Sequence, residues 1–345
     1  MNEPDVGPMT SLASHRQLHD PGGKGALRVG IVALLAADQW PGTEPDQLAR
    51  MVRTIEDLGF DSLWANDSLI GPRIEALTFL AGAASVTERV TLGTAALLPA
   101  LRRPVQAAQA LASIDRLAQG RLVVAVGAGF PGISETEYAV SEVSWRRRSR
   151  RLDETVALWR QLWAGAGPSA FHGDTIALSD IPSGIRPFNP AGPPVWLAGD
   201  TPRARARAGA AYDGWLPYPP TPSGFATGLG DVRAAAKLAG RPTDAVTPAL
   251  FVTVLVTDSP DGGRSELDRF TTATYGFPLA AVESLQAFAA GSAEAVAAKL
   301  ANYIDAGVRH LVCRIGVLTQ DGFRVQLERL RDVKDRLEEA SRAYP

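Results

Sequence analysis

Residues 88–132, ERVTLGTAALLPALRRPVQAAQALASIDRLAQGRLVVAVGAGFPG, contain a strand, a helix and a second strand, and they decide how the rest of the chain reads. Arg89 to Ala96 and Arg121 to Val126 are short apolar runs, the pattern of strands buried on both faces of a parallel sheet. Between them, Val105 to Leu117 repeats its apolar residues at helical spacing.

The same alternation extends in both directions. Upstream lie the strands Leu27 to Leu35 and Asp61 to Ala65, a helix carrying Leu48, Met51, Ile55 and Leu58, and a second helix over Glu75 to Val86. Downstream, Val195 to Ala198, Asp213 to Leu216, Ala249 to Thr257 and Arg309 to Ile315 bring the strands to eight, the last leading into a helix over Phe323 to Ala340. Strict βα order with eight strands predicts an α/β fold, a TIM (β/α)8 barrel with insertions after the late strands. A long amphipathic helix starts near Trp145, and FHGDTIAL (Phe171 to Leu178) reads as one arm of an excursion hairpin. Residues 27–345 form one domain in this reading, and residues 1–26, without periodicity, a disordered tail.

Composition narrows the function. Of 345 residues, 46% are hydrophobic and 21% charged, enough apolar material for a large core. Lys and Arg total 35 against 37 Asp and Glu, so no global field favours nucleic acid or an acidic membrane. The single Cys313 provides neither an internal disulfide nor a cysteine zinc site, and no run approaches the ~20 apolar residues of a membrane span. A cytoplasmic protein is expected. His15, His19, His172 and His310 lack the spacing of metal ligands, and neither a serine nucleophile elbow nor a P-loop is present.

The remaining motifs fall after strands, where barrel sites are built. Gly127-Ala-Gly129-Phe-Pro-Gly132 matches a dinucleotide fingerprint formally, but Pro131 and Gly132 disfavour the helix that a Rossmann unit needs there. It reads instead as a rim turn whose bare backbone a flat ring can approach. Thr201-Pro202 opens a helix directly after a strand, so its N–H groups suit a phosphate; Arg203 adds charge, while Arg205 and Arg207 are expected to face solvent. Asn66-Asp67-Ser68 follows the second strand, either at the mouth of the site or as a structural turn. Trp196 and Cys313 read as core, and Arg146 to Arg151 as a solvated or salt-bridged face. Tyr275, Phe277 and Phe288 are candidates for a mobile wall over a substrate pocket.

Four segments together, GFDSLWANDSL (Gly59 to Leu69), Glu88 to Gly132, RRLDETVALWRQLW (Arg150 to Trp163) and PVWLAGDTPRARARAGAAYDGWLP (Pro194 to Pro217), resemble the bacterial luciferase-like flavin-dependent oxidoreductases. The resemblance implies reduced FMN, or the deazaflavin coenzyme F420, at the C-terminal rim of the barrel. It places Asn66, Asp67 and Ser68 beside the reacting ring. Thr94, Ala95 and Ala96 lie beneath it as backbone support, where relatives often carry a cis peptide. Gly127 and Gly129 let the ring approach, and Gly199, Asp200, Thr201 and Arg203 surround the phosphate. Two departures stand out: Ser68 stands where many relatives have a histidine, and Asp200 sets a carboxylate beside the phosphate unless it caps the helix or pairs with Arg203.

The implied activity is a two-component monooxygenase that uses reduced FMN and O2 on a small hydrophobic substrate, fed by a separate flavin reductase and assembled as a homodimer. F420-dependent hydride transfer without oxygen insertion is the alternative, and a non-catalytic partner subunit of a flavin enzyme is a second alternative.

Overall fold

The computed structural model describes residues 27–36, 45–165 and 169–343; the tail expected over 1–26 lies outside them. Its elements in chain order are β1 (Arg28–Val32), α1 (Pro45–Asp57), β2 (Ser62–Ala65), α2 (Ala76–Val86), β3 (Thr91–Leu97), α3 (Pro104–Leu117), β4 (Leu122–Val126), α4 (Glu135–Val140) and α5 (Arg148–Ala164). There follow β5 (Ser169–His172), β6 (Ala177–Ile181), β7 (Val195–Ala198), α6 (Pro202–Ala211), β8 (Gly214–Leu216), α7 (Pro222–Leu238) and β9 (Thr247–Val256). The last are α8 (Pro260–Tyr275), α9 (Leu279–Val282), β10 (Phe288–Gly291), α10 (Ala293–Asp305), β11 (His310–Ile315) and α11 (Gln320–Ala343).

Eight of these strands pair in parallel in the order β9, β11, β1, β2, β3, β4, β7, β8, and β8 pairs with β9 through Gly214 and Thr247 to close a TIM barrel. They are the eight strands that the sequence predicts, shifted at most by two residues at an end, apart from a longer first run. One parallel strand was not predicted. β10 runs beside the outer half of β9, from Phe288 opposite Thr253 to Gly291 opposite Val256. Its seat exists because β8 stops early: Pro217 and Pro219 have no N–H to continue the ladder, and the Tyr218 carbonyl accepts from Ala287 N at 3.0 Å instead.

Two cores result. Val32, Trp64, Ala95, Val123, Ala125, Trp196, Leu216, Ala249 and Val312 fill the barrel, with every strand of the ring contributing. A larger core, which includes Cys313, lies between the strands and the outer helices. Inside the barrel the rings of Trp64 and Trp196 sit 5.3 Å apart, and both meet His310 edge-on. Such bulk fits because neighbouring strands carry no side chain there. A Cβ on Gly93 would lie 2.2 Å from Trp64 Cε3, and one on Gly214 would lie 2.3 Å from Trp196 Cδ1.

The inner core also has one polar chain. Trp64 Nε1 donates to Ser62 Oγ at 2.7 Å, which leaves the Ser62 hydrogen for His310 Nε2, also at 2.7 Å. His310 is therefore held neutral, and burial first, with Arg28 second, pushes it down to about 3. The unfolded chain binds a proton here that the folded one refuses. Stability is thus fully present above about pH 6.5 and falls as pH drops from there toward 3. Between pH 7 and 5.5 the unfolding free energy of wild type should fall by about 1 kcal/mol more than that of His310→Gln in urea titrations. Equal losses in the two proteins would refute the assignment.

The hairpin β5–β6 packs Ile176 and Ile181 on Leu158 of α5. Glu154 pins its turn by accepting from Asp174 N, Thr175 N, Thr175 Oγ1 and Ile176 N at 2.6–3.1 Å. Burial raises this carboxyl, but the Thr175, Asp174 and Arg150 hydrogen bonds outweigh it and hold the group down to about 2. FHGDTIAL thus contains the turn and parts of both arms, one more arm than expected.

Candidate active site at the barrel mouth

The peptide Ala95–Ala96 at the end of β3 is cis, at the position the resemblance implies. Beside it, Gly127 N donates to Leu97 O at 2.8 Å, and Thr94 Oγ1 donates to Ala125 O at 2.8 Å, so the ends of β3 and β4 are tied together. A Cβ on Gly127 would lie 3.3 Å from Ala96 Cβ and 3.9 Å from Ala198 Cβ. The rim over β3, β4 and β7 is therefore lined by backbone and the methyl groups of Ala96 and Ala198, with Leu98 Cδ2 at the same 3.9 Å. Gly129 (φ +79°) turns the chain away from this wall, and a Cβ there would strike Ser134 at 2.7 Å.

Across the mouth the side chains are large. Tyr218, just past β8, meets Phe130 of the glycine-rich turn with ring centroids 5.5 Å apart. Burial, then the nearby Asp200 and Tyr275, push its phenol up to about 12, so it stays protonated through the neutral range. Tyr275, from the end of α8, accepts a 2.8 Å hydrogen bond from Arg314 of β11. Of the other wall candidates, Phe288 is taken up by β10 and the outer core, and Phe277 is 54% exposed beyond α8. Of the three, Tyr275 is the one tied by a side-chain hydrogen bond to a barrel strand. The stretch from Tyr275 to Phe288 consists of the end of α8, α9 and the start of β10.

The Asn66-Asp67-Ser68 turn divides by role. Asn66 directly follows β2, is half-buried, and its side chain makes no hydrogen bond among the described residues. Asp67 has a side chain 4% exposed, and it accepts from both Arg102 terminal nitrogens, at 2.6 and 2.9 Å, and from Leu98 N at 2.9 Å. Its carboxylate therefore braces the turn that follows the cis peptide. Ser68 Oγ donates to the buried Glu137 Oε1 at 2.6 Å and accepts from Ile70 N, so it binds the turn to α4. These partners make Asp67 and Ser68 positioning groups for the mouth, and Asn66 is the member of the three with polar atoms to spare.

At α6, Thr201 caps the helix by accepting from Ala204 N at 3.2 Å, with Pro202 in the first turn, as its sequence predicts. Gly199 (φ +128°) makes the turn into this cap. Asp200 pairs with Arg205 at 2.8 Å rather than with Arg203. Arg205 and Arg207 do not face solvent freely, correcting the expectation: α6 is flanked by α5 and α7, which present Asp153 to Arg207 and Asp231 to Arg205. Arg203 is exposed and without a partner among the described residues, so of the three arginines of α6 the uncommitted one stands at the helix N-terminus.

A cleft of about 450 Å3, lined by Arg102, Arg103, Arg147, Arg151 and Asp174, lies beside the mouth rather than in it. Arg102 is already committed to Asp67 and Glu75, and Arg151 to the carbonyls of Ala100 and Thr175. The sequence reading missed Tyr218, Phe130 and Arg314. A charged residue two positions beyond Val312 in an otherwise apolar barrel strand was the signal that marked Arg314. Among the described residues no group of three or more His, Cys, Asp or Glu is arranged to hold a metal ion, and no helix is long and apolar enough to cross a membrane.

A closed barrel with small residues facing aromatic and polar side chains at its mouth defines a TIM-barrel protein with its candidate site at that end of the strands. The family model for luciferase-like monooxygenases matches residues 27–310, and the chain belongs to that family. Among curated proteins, an F420-dependent glucose-6-phosphate dehydrogenase of Kineococcus radiotolerans is 34% identical over 197 residues, 55% of this chain and 56% of the relative. The chain thus spans a little over half the length of that relative. Among solved structures, an F420-dependent secondary alcohol dehydrogenase in complex with an F420-acetone adduct superposes with a TM-score of 0.75 at 20% identity, covering 89% of this chain and 99% of the other. Monooxygenase RslO1 from Streptomyces bottropensis superposes with a TM-score of 0.72 at 21% identity, covering 88% and 98%. At these identities the superpositions establish the fold.

Proposed function

We propose that the chain is an F420-dependent oxidoreductase that exchanges hydride with a small organic substrate at the barrel mouth. The observation that carries this reading is the cis peptide Ala95–Ala96 set beside Gly127 and Ala198, residues that present nothing larger than a methyl group. The residues present fit such a group. Bound there, the cofactor supplies the two-electron chemistry, and the protein supplies position and polarity.

Arg203 and the N-terminus of α6 would hold the phosphate, with Thr201 fixing the helix start. Arg205, whose single charge is shared between Asp200 and Asp231 of α7, offsets part of the negative charge that Asp200 sets beside the phosphate. Asn66 offers an amide to the ring edge or the substrate. Tyr218, kept protonated, offers an O–H where negative charge develops on a substrate oxygen. Asp67 with Arg102, and Ser68 with Glu137, hold the two loops in place.

F420 is favoured over FMN, the cofactor of the activity that the resemblance implies, by the F420 dependence of the curated relative. The FMN reading, a monooxygenase supplied by a separate reductase, is what the solved neighbour RslO1 illustrates on the same fold. Anaerobic titration with reduced FMN and reduced F420, followed by admission of air, decides between them. Tight F420 binding without oxygen uptake is the expected result. Tight FMN binding with oxygen uptake and an oxygenated product would establish the monooxygenase, and binding of neither would make the chain a partner subunit.

A further inference from the structure

β11 sets His310, Val312 and Arg314 on one face, and since His310 and Val312 belong to the barrel interior, Arg314 stands above them at the mouth. Its guanidinium carbon lies 5.0 Å from the Phe270 ring centre and 5.4 Å from that of Tyr275. Nη1 donates to Tyr275 Oη at 2.8 Å, and Tyr275 passes its own hydrogen to Gln286 Oε1 at 3.2 Å. A guanidinium carries five N–H donors. For Arg314 this is the one hydrogen bond among the described residues, and no carboxylate faces it there, whereas Arg102, Arg205 and Arg207 each end on an aspartate.

One strand across, Thr253 is the register partner of Arg314, and it lies on the same inner face of β9 as Ala249 and Phe251. Its hydroxyl is buried and has no hydrogen-bond partner among the described residues. A half-buried cation within reach of two aromatic rings, beside a buried hydroxyl with hydrogen-bonding capacity to spare, suits an anion.

We propose that Arg314, assisted by Thr253, binds the carboxylate of the substrate, so that the mouth takes small organic acids with an apolar or planar body. A single guanidinium matches a single negative charge, and Phe130, Tyr218, Phe270 and Tyr275 supply the apolar surroundings. This deepens the proposed function and rests on it for the chemistry that the bound acid would undergo, but the binding itself does not require the cofactor.

The test is ligand-observed NMR titration of the full chain, without cofactor, using benzoate and its uncharged analogue benzamide. Benzoate should bind at least about tenfold more tightly than benzamide, and Arg314→Gln should erase that ratio by weakening benzoate alone. Thr253→Val should weaken benzoate by a smaller factor. Equal affinity of wild type for the two probes, or benzoate binding unchanged in Arg314→Gln, would overturn the proposal. If Arg314→Gln does not fold, the wild-type ratio and its decrease at high salt decide the question alone. A chain that selects benzoate through Arg314 and yet binds neither reduced F420 nor reduced FMN would sink the cofactor reading and leave this one standing.

Discussion

Valine in place of Gly127 is expected to cost more than about a hundredfold in affinity for the reduced cofactor while the barrel remains folded. The first added carbon would meet Ala96 Cβ at 3.3 Å, and Ala198 Cβ and Leu98 Cδ2 at 3.9 Å, contacts a folded protein tolerates after small adjustments. Gly127 is also absent from the positive-φ residues, so the substitution carries no left-handed backbone penalty. The two further methyl groups of valine add bulk beside Ala96, Ala198 and Leu98, at the wall on which the proposed ring would rest. A hundredfold loss corresponds to about 2.7 kcal/mol, roughly the worth of one ring face denied its contact. Alanine at the same position should give an intermediate loss. Thermal unfolding reports the fold and anaerobic titration the affinity; a valine variant that binds reduced F420 and reduced FMN as wild type does would show that no ring rests on this wall.

Gly127 also illustrates what the sequence made legible. A glycine directly after an apolar strand, followed by Gly129 and Pro131, is a local signal, and the strand count put it on the active rim. The Thr201-Pro202 cap was equally local, since a hydroxyl and a proline suffice to predict a helix start. Partnerships that cross from one element to another were not legible. Asp67 finds Arg102, 35 residues on, and Arg207 finds Asp153, 54 residues back, because the barrel brings their loops and helices together. Nothing in the spacing of either pair announces it. β10 escaped for a different reason: four residues, FAAG, carry too little pattern to separate a strand from a loop, and their pairing depends on where Pro217 and Pro219 end β8.

The second large effect lies deeper in the barrel. Alanine at Gly93 places a carbon 2.2 Å from Trp64 Cε3 and 2.3 Å from Cζ3, distances no relaxation of a methyl group can absorb. The indole has nowhere to go. It packs against Trp196 and His310 on its other sides, and its Nε1 is tied to Ser62, so tilting the ring would break the Trp64–Ser62–His310 chain. Overpacking of a well-filled core costs typically 1–3 kcal/mol, and a rigid ring held from three directions belongs at the upper end, about 3 kcal/mol. Denaturant unfolding should show that loss for Gly93→Ala, with Gly214→Ala close to it because Trp196 stands 2.3 Å from the corresponding position. The cause is isolated by a double-mutant cycle: Trp64→Phe trims the ring that collides, so Gly93→Ala with Trp64→Phe should be about 2 kcal/mol more stable than the sum of the single losses. Strict additivity would mean that the glycine is kept for its backbone and not for the indole. Coupling would show that the small residues of the inner strands are there to admit two tryptophans, the floor on which Ala95, and with it the cis peptide of the mouth, is set.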